Sequence, residues 1–254
     1  MKKLLAITAL SAALFFGQTA AAEEKAAEEV KPSHVEMVLV LDESGSMSNL
    51  TNDTIGGFNS MIEKEKKLDV DAHVTTVLFN DQYKMLYNRR ELKDVSKMTD
   101  KDYTPGGMTA LLDAVGRTIH KMDMVAGIHR KDKGNKVLFV IITDGEENDS
   151  KEYTYADVKK LIKDRQENAG WEFIFLGANI DAAAAAENLG IGRDRAVKYK
   201  NTGSGVRANF KAVAELSDSL AKSGRVSDEW KETVEKDEDD AADKQSAAVT
   251  LHRR

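Results

Sequence analysis

Two short, strongly apolar runs that each end at an aspartate constrain the fold of this chain more than any other feature. Residues 35–41 precede Asp42, and residues 136–143 precede Asp144. A strand that is apolar along its length is typical of a parallel sheet with helices on both faces, because neither face of such a sheet meets water. The two runs therefore predict central strands of an α/β fold.

The rest of the chain alternates between strand-like and helix-like patterns. Strands are predicted at 35–41, 70–80, 136–143, 172–176 and 196–199, and helices at 52–68, 153–168, 182–189, 206–221 and directly after Thr109. A segment at 84–88 follows the second strand so closely that it predicts a hairpin and an antiparallel edge strand. The alternation predicts a doubly wound, mostly parallel sheet with helices on both faces.

Oxygen-bearing side chains stand where the predicted central strands end. Asp42, Ser44 and Ser46 occupy every second position after the first strand, and Asp144 follows the strand that ends at residue 143. Thr109 follows a Pro-Gly-Gly loop at the start of a helix. Ligands of such sheets bind at the carboxyl ends of the strands, where the strand order reverses. We therefore predict that these five side chains converge at one edge of the sheet.

Oxygen ligands alone select a hard divalent cation, with Mg2+ first and Mn2+ or Ca2+ as alternatives. On a straight strand Asp42 and Ser46 would lie about 13 Å apart, so a shared ion requires the chain to curl there, which Gly45 permits. Each segment also has a simpler interpretation. Asp42 and Thr109 are residue types that cap helices, and Asp144 precedes a glycine as in many turns.

This set of residues resembles the metal-ion-dependent adhesion site of the von Willebrand factor type A (VWA) family. The family pattern is D-x-S-x-S, then a distant threonine, then a distant aspartate. The sequence matches at Asp42-Glu-Ser44-Gly-Ser46, at Thr109 within Gly-Gly-Met-Thr-Ala, and at Asp144 within Ile-Thr-Asp-Gly.

The resemblance extends over about residues 34–223 and implies a Rossmann-like VWA fold. The segment Phe-Leu-Gly-Ala-Asn-Ile-Asp at 175–181 is similar to that of small stand-alone bacterial members. The family implies direct ligation of the ion by Ser44, Ser46 and Thr109, with Asp42 and Asp144 acting mainly through water. It also implies one open coordination position, which an Asp or Glu carboxylate of a partner protein fills.

The amino-terminal segment has the pattern of an export signal. Lys2 and Lys3 precede an apolar run at 4–16, which is too short to span a bilayer, and an Ala-Ala-Ala site follows at 20–22. We predict a signal peptide at 1–22, a linker at 23–33, a VWA domain at 34–223 and a charged, disordered tail at 224–254. No later segment is apolar enough to span, so we expect a bacterial periplasmic or secreted protein.

Composition excludes several function classes. The formal net charge of -6 argues against nucleic acid as a partner, because binding to phosphates needs clustered cations. The sequence contains no cysteine, which excludes disulfides, thiolate metal sites and a cysteine nucleophile. The five histidines show no ligand spacing along the chain and do not suggest zinc.

Two alternatives to a binding domain stay open. A phosphatase or other hydrolase of the haloacid-dehalogenase type would combine Mg2+ with Asp42, but that chemistry needs a second aspartate at position 44, which is serine here. An accessory subunit that docks within an envelope assembly would use the same fold.

A further hypothesis concerns partner choice, in which an acidic rim around the metal cluster repels acidic surfaces of other proteins. Its members are Glu43, Glu146, Glu147 and Asp149, which equally suit a solvated loop.

Overall fold

Six strands form one sheet in the part of the chain described by the structure, a computed structural model covering residues 34–68, 70–125 and 135–236. The strands are β1 (His34–Asp42), β2 (Ala72–Phe79), β3 (Tyr83–Glu91), β4 (Asn135–Thr143), β5 (Glu172–Gly177) and β6 (Ala196–Lys198). The predicted signal peptide and linker lie outside the described residues.

The strand order β3-β2-β1-β4-β5-β6 confirms the predicted doubly wound sheet. Strands β1, β2, β4, β5 and β6 are parallel, whereas β3 pairs antiparallel with β2 as the edge of a hairpin. From β1 the chain first builds outward through β2 and β3, then returns to place β4 on the other side of β1. The order therefore reverses between β1 and β4, the position at which such sheets bind ligands.

Among the described residues, five helices of eight or more residues cover both faces of the sheet: α1 (Thr51–Lys67), α2 (Leu111–Asp123), α3 (Tyr155–Asp164), α4 (Ala182–Leu189) and α5 (Gly203–Ser223). Helices α1 and α5 share one buried cluster, and α2, α3 and α4 share the other. Strand β1 serves both clusters, since Leu39 and Leu41 pack on the first and Val38 and Val40 on the second. Each such buried side chain contributes roughly 1.5–3 kcal/mol, which explains the apolar pattern of the strand.

Local signals fix several helix ends. The side chain of Asp181 accepts a hydrogen bond from the backbone of Ala184 and caps α4, and Gly190 ends that helix at φ +89°. Thr202 caps α5 in the same way, so the helix begins at Gly203, earlier than predicted. Helix α3 is shorter than predicted, because a π-helical turn at Arg165–Ala169 continues it before β5.

The packed region continues past residue 223, where the sequence predicts the domain to end. Residues 230–236 are helical, and Trp230 and Val234 are buried in the cluster under α1 and α5. Within the described residues, no helix combines the length and the hydropathy that a bilayer span requires.

Candidate metal centre

The chain curls directly after β1, and Asp42 organises that curl. Its carboxylate is only 1% exposed. Oδ1 accepts the backbone N–H of Ser44 at 2.7 Å, and Oδ2 accepts the hydroxyl of Thr143 at 2.6 Å. The hydroxyl of Tyr103 donates to the backbone oxygen of Asp42 at 2.6 Å. The aspartate at the end of β1 is thus fixed from three directions, and the serines that follow turn back over the strand end.

The two serines connect this turn to the end of β4. The hydroxyl oxygens of Ser44 and Ser46 lie 3.0 Å apart, and the Ser46 hydroxyl donates to Asp144 Oδ1 at 2.5 Å. Asn201 donates from Nδ2 to Asp144 Oδ2 at 3.3 Å. Four of the five predicted side chains therefore form one hydrogen-bonded cluster that joins segments 98 residues apart.

Thr109 lies beside this cluster without a hydrogen bond to its side chains among the described residues. Its hydroxyl lies 3.8 Å from the position that a Cβ on Gly145 would occupy, next to Asp144. Its backbone N–H donates to Asn148 Oδ1 at 2.8 Å, and its loop is held where Gly45 N–H meets Gly107 O at 3.2 Å.

The helix-capping interpretation of Thr109 is wrong. The N-cap position of helix α2 is Ala110, and no side chain makes a capping hydrogen bond there. Among the described residues, the Thr109 hydroxyl makes no capping hydrogen bond at the start of this helix.

The electrostatics of the cluster favour a cation. Asp42 and Asp144 are 1% and 2% exposed, and neither forms an ion pair with a basic side chain in the described part of the chain. Burial raises the pKa of Asp42, and the charge of Asp144 adds to the rise against the hydrogen bonds from Thr143 and Ser44. Buried charges without a counter-ion are costly. The amide oxygen Oδ1 of Asn201 is also buried without a hydrogen-bond partner among the residues that the structure describes, so the donor set fits a divalent cation that takes oxygen ligands.

Several supporting residues could not be identified from the sequence. Thr143 gave the clearest signal, because it directly precedes Asp144 at the end of an apolar strand. Asn148 lies four residues after Asp144 but holds Thr109, whereas Tyr103 and Asn201 reach the cluster from distant loops, and nothing in the local sequence of these three indicates it.

The acidic rim is smaller than hypothesised. Glu43 is buried, and its carboxylate accepts the backbone N–H and, at 3.3 Å, the hydroxyl of Thr104. Glu147 accepts the backbone N–H of Leu112 and the hydroxyl of Ser150. These two carboxylates hold neighbouring backbone in place, which leaves Glu146 as the exposed acid of the set and Asp149 as half-buried.

Comparisons with known proteins agree with this architecture. A family model described as "vWA-TerF-like: vWA found in TerF C terminus" matches residues 34–193. No curated protein matches the sequence. The fold is similar to that of the pilus adhesin SpaC from Lactobacillus rhamnosus GG in its open conformation, with a TM-score of 0.59 and 14% identity over 76% of this chain and 31% of that one.

Two other solved structures show the same fold. The vWF domain of the type V pili tip protein Mfa5 from Porphyromonas gingivalis has a TM-score of 0.55 and 12% identity over 78% of this chain and 99% of that one. The PilB minor pilin from Streptococcus sanguinis has a TM-score of 0.54 and 12% identity over 73% of this chain and 61% of that one. This chain thus spans about three fifths of PilB and about a third of SpaC. From the family match and the strand order, the chain belongs to the von Willebrand factor type A domain family, in the group found at the TerF C terminus.

Proposed function

We propose that this protein is an exported, divalent-metal-dependent binding domain that captures an Asp or Glu carboxylate of a partner protein. Mg2+, with Mn2+ or Ca2+ as alternatives, would be held by Asp42, Ser44, Ser46, Thr109 and Asp144. The observation that carries the proposal is the cluster of two buried carboxylates, the buried Ser44 hydroxyl and the exposed Ser46 hydroxyl, which lacks a basic partner among the described residues.

The chemistry of the donor set suits capture rather than storage of an ion. Three neutral hydroxyls leave a divalent cation electrophilic, whereas a closed cage of carboxylates would neutralise it. Asp42 and Asp144 orient the serine groups through the hydrogen bonds described above. The bound cation supplies the attraction for a carboxylate from another protein.

Exposure indicates the direction from which a partner approaches. Ser44 is buried, but Ser46 is exposed, and Met108 in the neighbouring loop is 50% exposed. A depression of about 250 Å³ lies beside the cluster and is lined in part by Glu146 and Tyr155. A partner carboxylate that enters past Ser46 would therefore have the apolar side chain of Met108 on one side and the acidic side chain of Glu146 on the other. A larger depression of about 900 Å³ lies between α2 and α3, away from this edge.

Export is supported by the sequence pattern at 1–22. The names of the structural neighbours describe a pilus adhesin, a pili tip protein and a minor pilin, each of which is a component of a pilus. We place this protein in the periplasm or outside the cell. An accessory role in an envelope assembly is the variant of the proposal in which the captured partner is a fixed subunit.

The test combines metal binding with partner capture. Calorimetry should show that Mg2+ binds the wild-type chain and not the Ser44→Ala/Ser46→Ala variant, while Ser60→Ala, at an exposed serine of α1, serves as the matched control. Crosslinking in the native envelope should then recover partners with Mg2+ that disappear with chelator and with the double variant. Recovery of the same partners in every condition would end the proposal.

The hydrolase alternative has no support from the described residues. Its second aspartate is absent at Ser44, and no lysine contacts the cluster in the part of the chain that the structure covers. A phosphatase screen with Asp42→Asn as the inactive control decides the matter. Phosphate release that requires Asp42 would replace the binding function with a catalytic one.

A further inference from the structure

A second cluster of metal-binding side chains lies at the opposite edge of the sheet. The strand register pairs Glu36 on β1 with His73 on β2, and His34 lies two residues before Glu36 on the same face. The eight residue steps of β1 separate His34 from Asp42 by about 26 Å. The fold thus brings together two histidines that the sequence spacing does not connect.

The ligand atoms of this cluster are close enough to share one ion. Glu36 Oε1 lies 3.3 Å from His34 Nε2 and 3.3 Å from His73 Nδ1, and the two nitrogens are 2.8 Å apart. Ligands at about 2.0–2.1 Å from a tetrahedral zinc ion are separated from one another by about 3.3 Å. Two of the three separations already match, and the third requires the imidazoles to part by about half an ångström.

Asp71 orients one of the imidazoles. Its Oδ1 lies 3.0 Å from Nδ1 of His34, on the side of the ring that faces away from Glu36. A carboxylate on the outer nitrogen is the common support of a metal-bound histidine, because it fixes the proton there and leaves the other nitrogen free to ligate. His34 therefore directs Nε2 at the cluster.

Arg89 neutralises Glu36 in this structure. Its guanidinium contacts Glu36 Oε1 through Nη2 and lies 3.0 Å from Oε2 through Nε, and Nη2 is also 3.2 Å from His73 Nδ1. Arg89 has a φ of +45° at an irregularity in the β2–β3 pairing, which turns its side chain onto the cluster. A metal ion bound by Glu36 Oε1 and His73 Nδ1 would displace Arg89 Nη2 from these two atoms. Glu36 Oε2 would keep its hydrogen bond from Arg89 Nε.

We propose that His34, Glu36 and His73 form a second metal site, which takes Zn2+ or a similar transition-metal ion and leaves one position to water. Imidazole nitrogens favour such ions, whereas the oxygen-only cluster at the carboxyl edge favours Mg2+. The side chains of His34 and His73 are 19% and 26% exposed, so an ion reaches them from solvent. This site is independent of the function proposed above.

The test is a calorimetric titration of the tag-free full chain with Zn2+ in the presence of saturating Mg2+. The wild type should bind zinc, and His73→Ala should weaken binding at least about 100-fold, because loss of a mere supporting residue already costs about 10–100-fold. His120→Ala is the matched control, since that histidine is exposed on α2 and lies outside the cluster. Asp71→Asn should weaken binding about 10–100-fold, and Arg89→Gln should strengthen it.

Zinc X-ray absorption on the wild-type chain makes the test independent of whether the variants fold. Two imidazoles together with oxygen in the first coordination sphere support the site, and a sphere of oxygen alone overturns it. Zinc binding that survives His34→Ala/His73→Ala, or that is lost in Ser44→Ala/Ser46→Ala instead, also overturns it. Either result assigns the zinc to other residues of the chain.

Discussion

The two ends of β1 solve the same electrostatic problem in opposite ways. At its carboxyl end, Asp42 and Asp144 are buried together, and no described basic side chain pairs with them. At its amino end, Glu36 is equally buried, but Arg89 and two histidines surround it. The comparison teaches that burial alone does not set how strongly a carboxylate requires a cation, because that also depends on the compensating charge: Arg89 supplies it to Glu36, and no described basic side chain supplies it to Asp42.

The pKa shifts of the buried carboxylates at the two ends have opposite directions, in line with this difference in compensating charge. Burial would raise the pKa of Glu36, but hydrogen bonds from His34 and Arg89 outweigh it and hold the pKa at about 2. Burial raises the pKa of Asp42, and the nearby Asp144 raises it further. Ionised Glu36 therefore stabilises the folded state, whereas ionised Asp42 destabilises it until a cation binds.

The largest effect should come from removing the serine ligands. We expect Ser44→Ala/Ser46→Ala to weaken Mg2+ binding at least about 1,000-fold, or about 4 kcal/mol, since loss of one supporting side chain already costs about 10–100-fold. Zinc binding at the amino edge should not change. Parallel Mg2+ and Zn2+ titrations measure both, and equal losses for both metals would show that the two edges are not separate sites.

The next effect concerns the ion pairs at the amino edge. Glu36→Gln should lower the free energy of unfolding at pH 7 by about 3 kcal/mol, because the folded carboxylate has a pKa of about 2 instead of its ordinary 4.5. This stabilisation is present above pH 4.5 and is lost as the pH falls from 4.5 toward 2. Denaturant unfolding of wild type and variant across that range measures it. Glu91→Gln, at an exposed glutamate of β3, is the control, and a difference that does not depend on pH would contradict the assignment.

A smaller effect of opposite sign is expected at the carboxyl edge. In chelator, Asp42→Asn should raise the free energy of unfolding by about 1 kcal/mol, because it removes a buried charge next to Asp144. The wild-type penalty is absent below the unfolded pKa of Asp42 and develops as the pH rises above it. Unfolding in chelator at pH 3 and pH 7 gives the comparison. Destabilisation by this variant at pH 7 would show that the two carboxylates are already compensated within the chain.

The smallest effect should come from the exposed acid beside the metal cluster. Glu146→Lys should leave the free energy of unfolding within about 0.5 kcal/mol of wild type, as for most surface substitutions. It should change the rate and the salt dependence of partner association, since rim charges act mainly on encounter. Glu147→Gln is the contrasting variant, because that carboxylate holds the backbone of Leu112 and should affect stability instead.

The fold was predictable to a large extent, and the reasons are local. Strands β1 and β4 are apolar because both of their faces are buried, and a helix cap such as Asp181 acts within three residues of its own position. The boundaries were less predictable. The start of α5 depends on Thr202. The packing of Trp230 extends the domain beyond residue 223, where the sequence predicted its end.

The candidate metal cluster was predictable as a set of residues but not as a set of contacts. Asp42, Ser44, Ser46 and Asp144 stand at strand ends, so the topology alone brings them to one edge. The hydrogen bonds that orient them come partly from Thr143 and Asn201. Asn201 follows β6, and its approach to Asp144 depends on how far that strand lies from the centre of the sheet.

The sequence by itself determined the parallel α/β class and the five oxygen-bearing side chains of the carboxyl edge, because hydrophobic period and position after a strand are properties of neighbouring residues. Only the tertiary structure decided the cluster of His34, Glu36 and His73 with Arg89. Those residues lie on three strands, and the register between strands, which sets which side chains face each other, arises from the packing of the whole sheet.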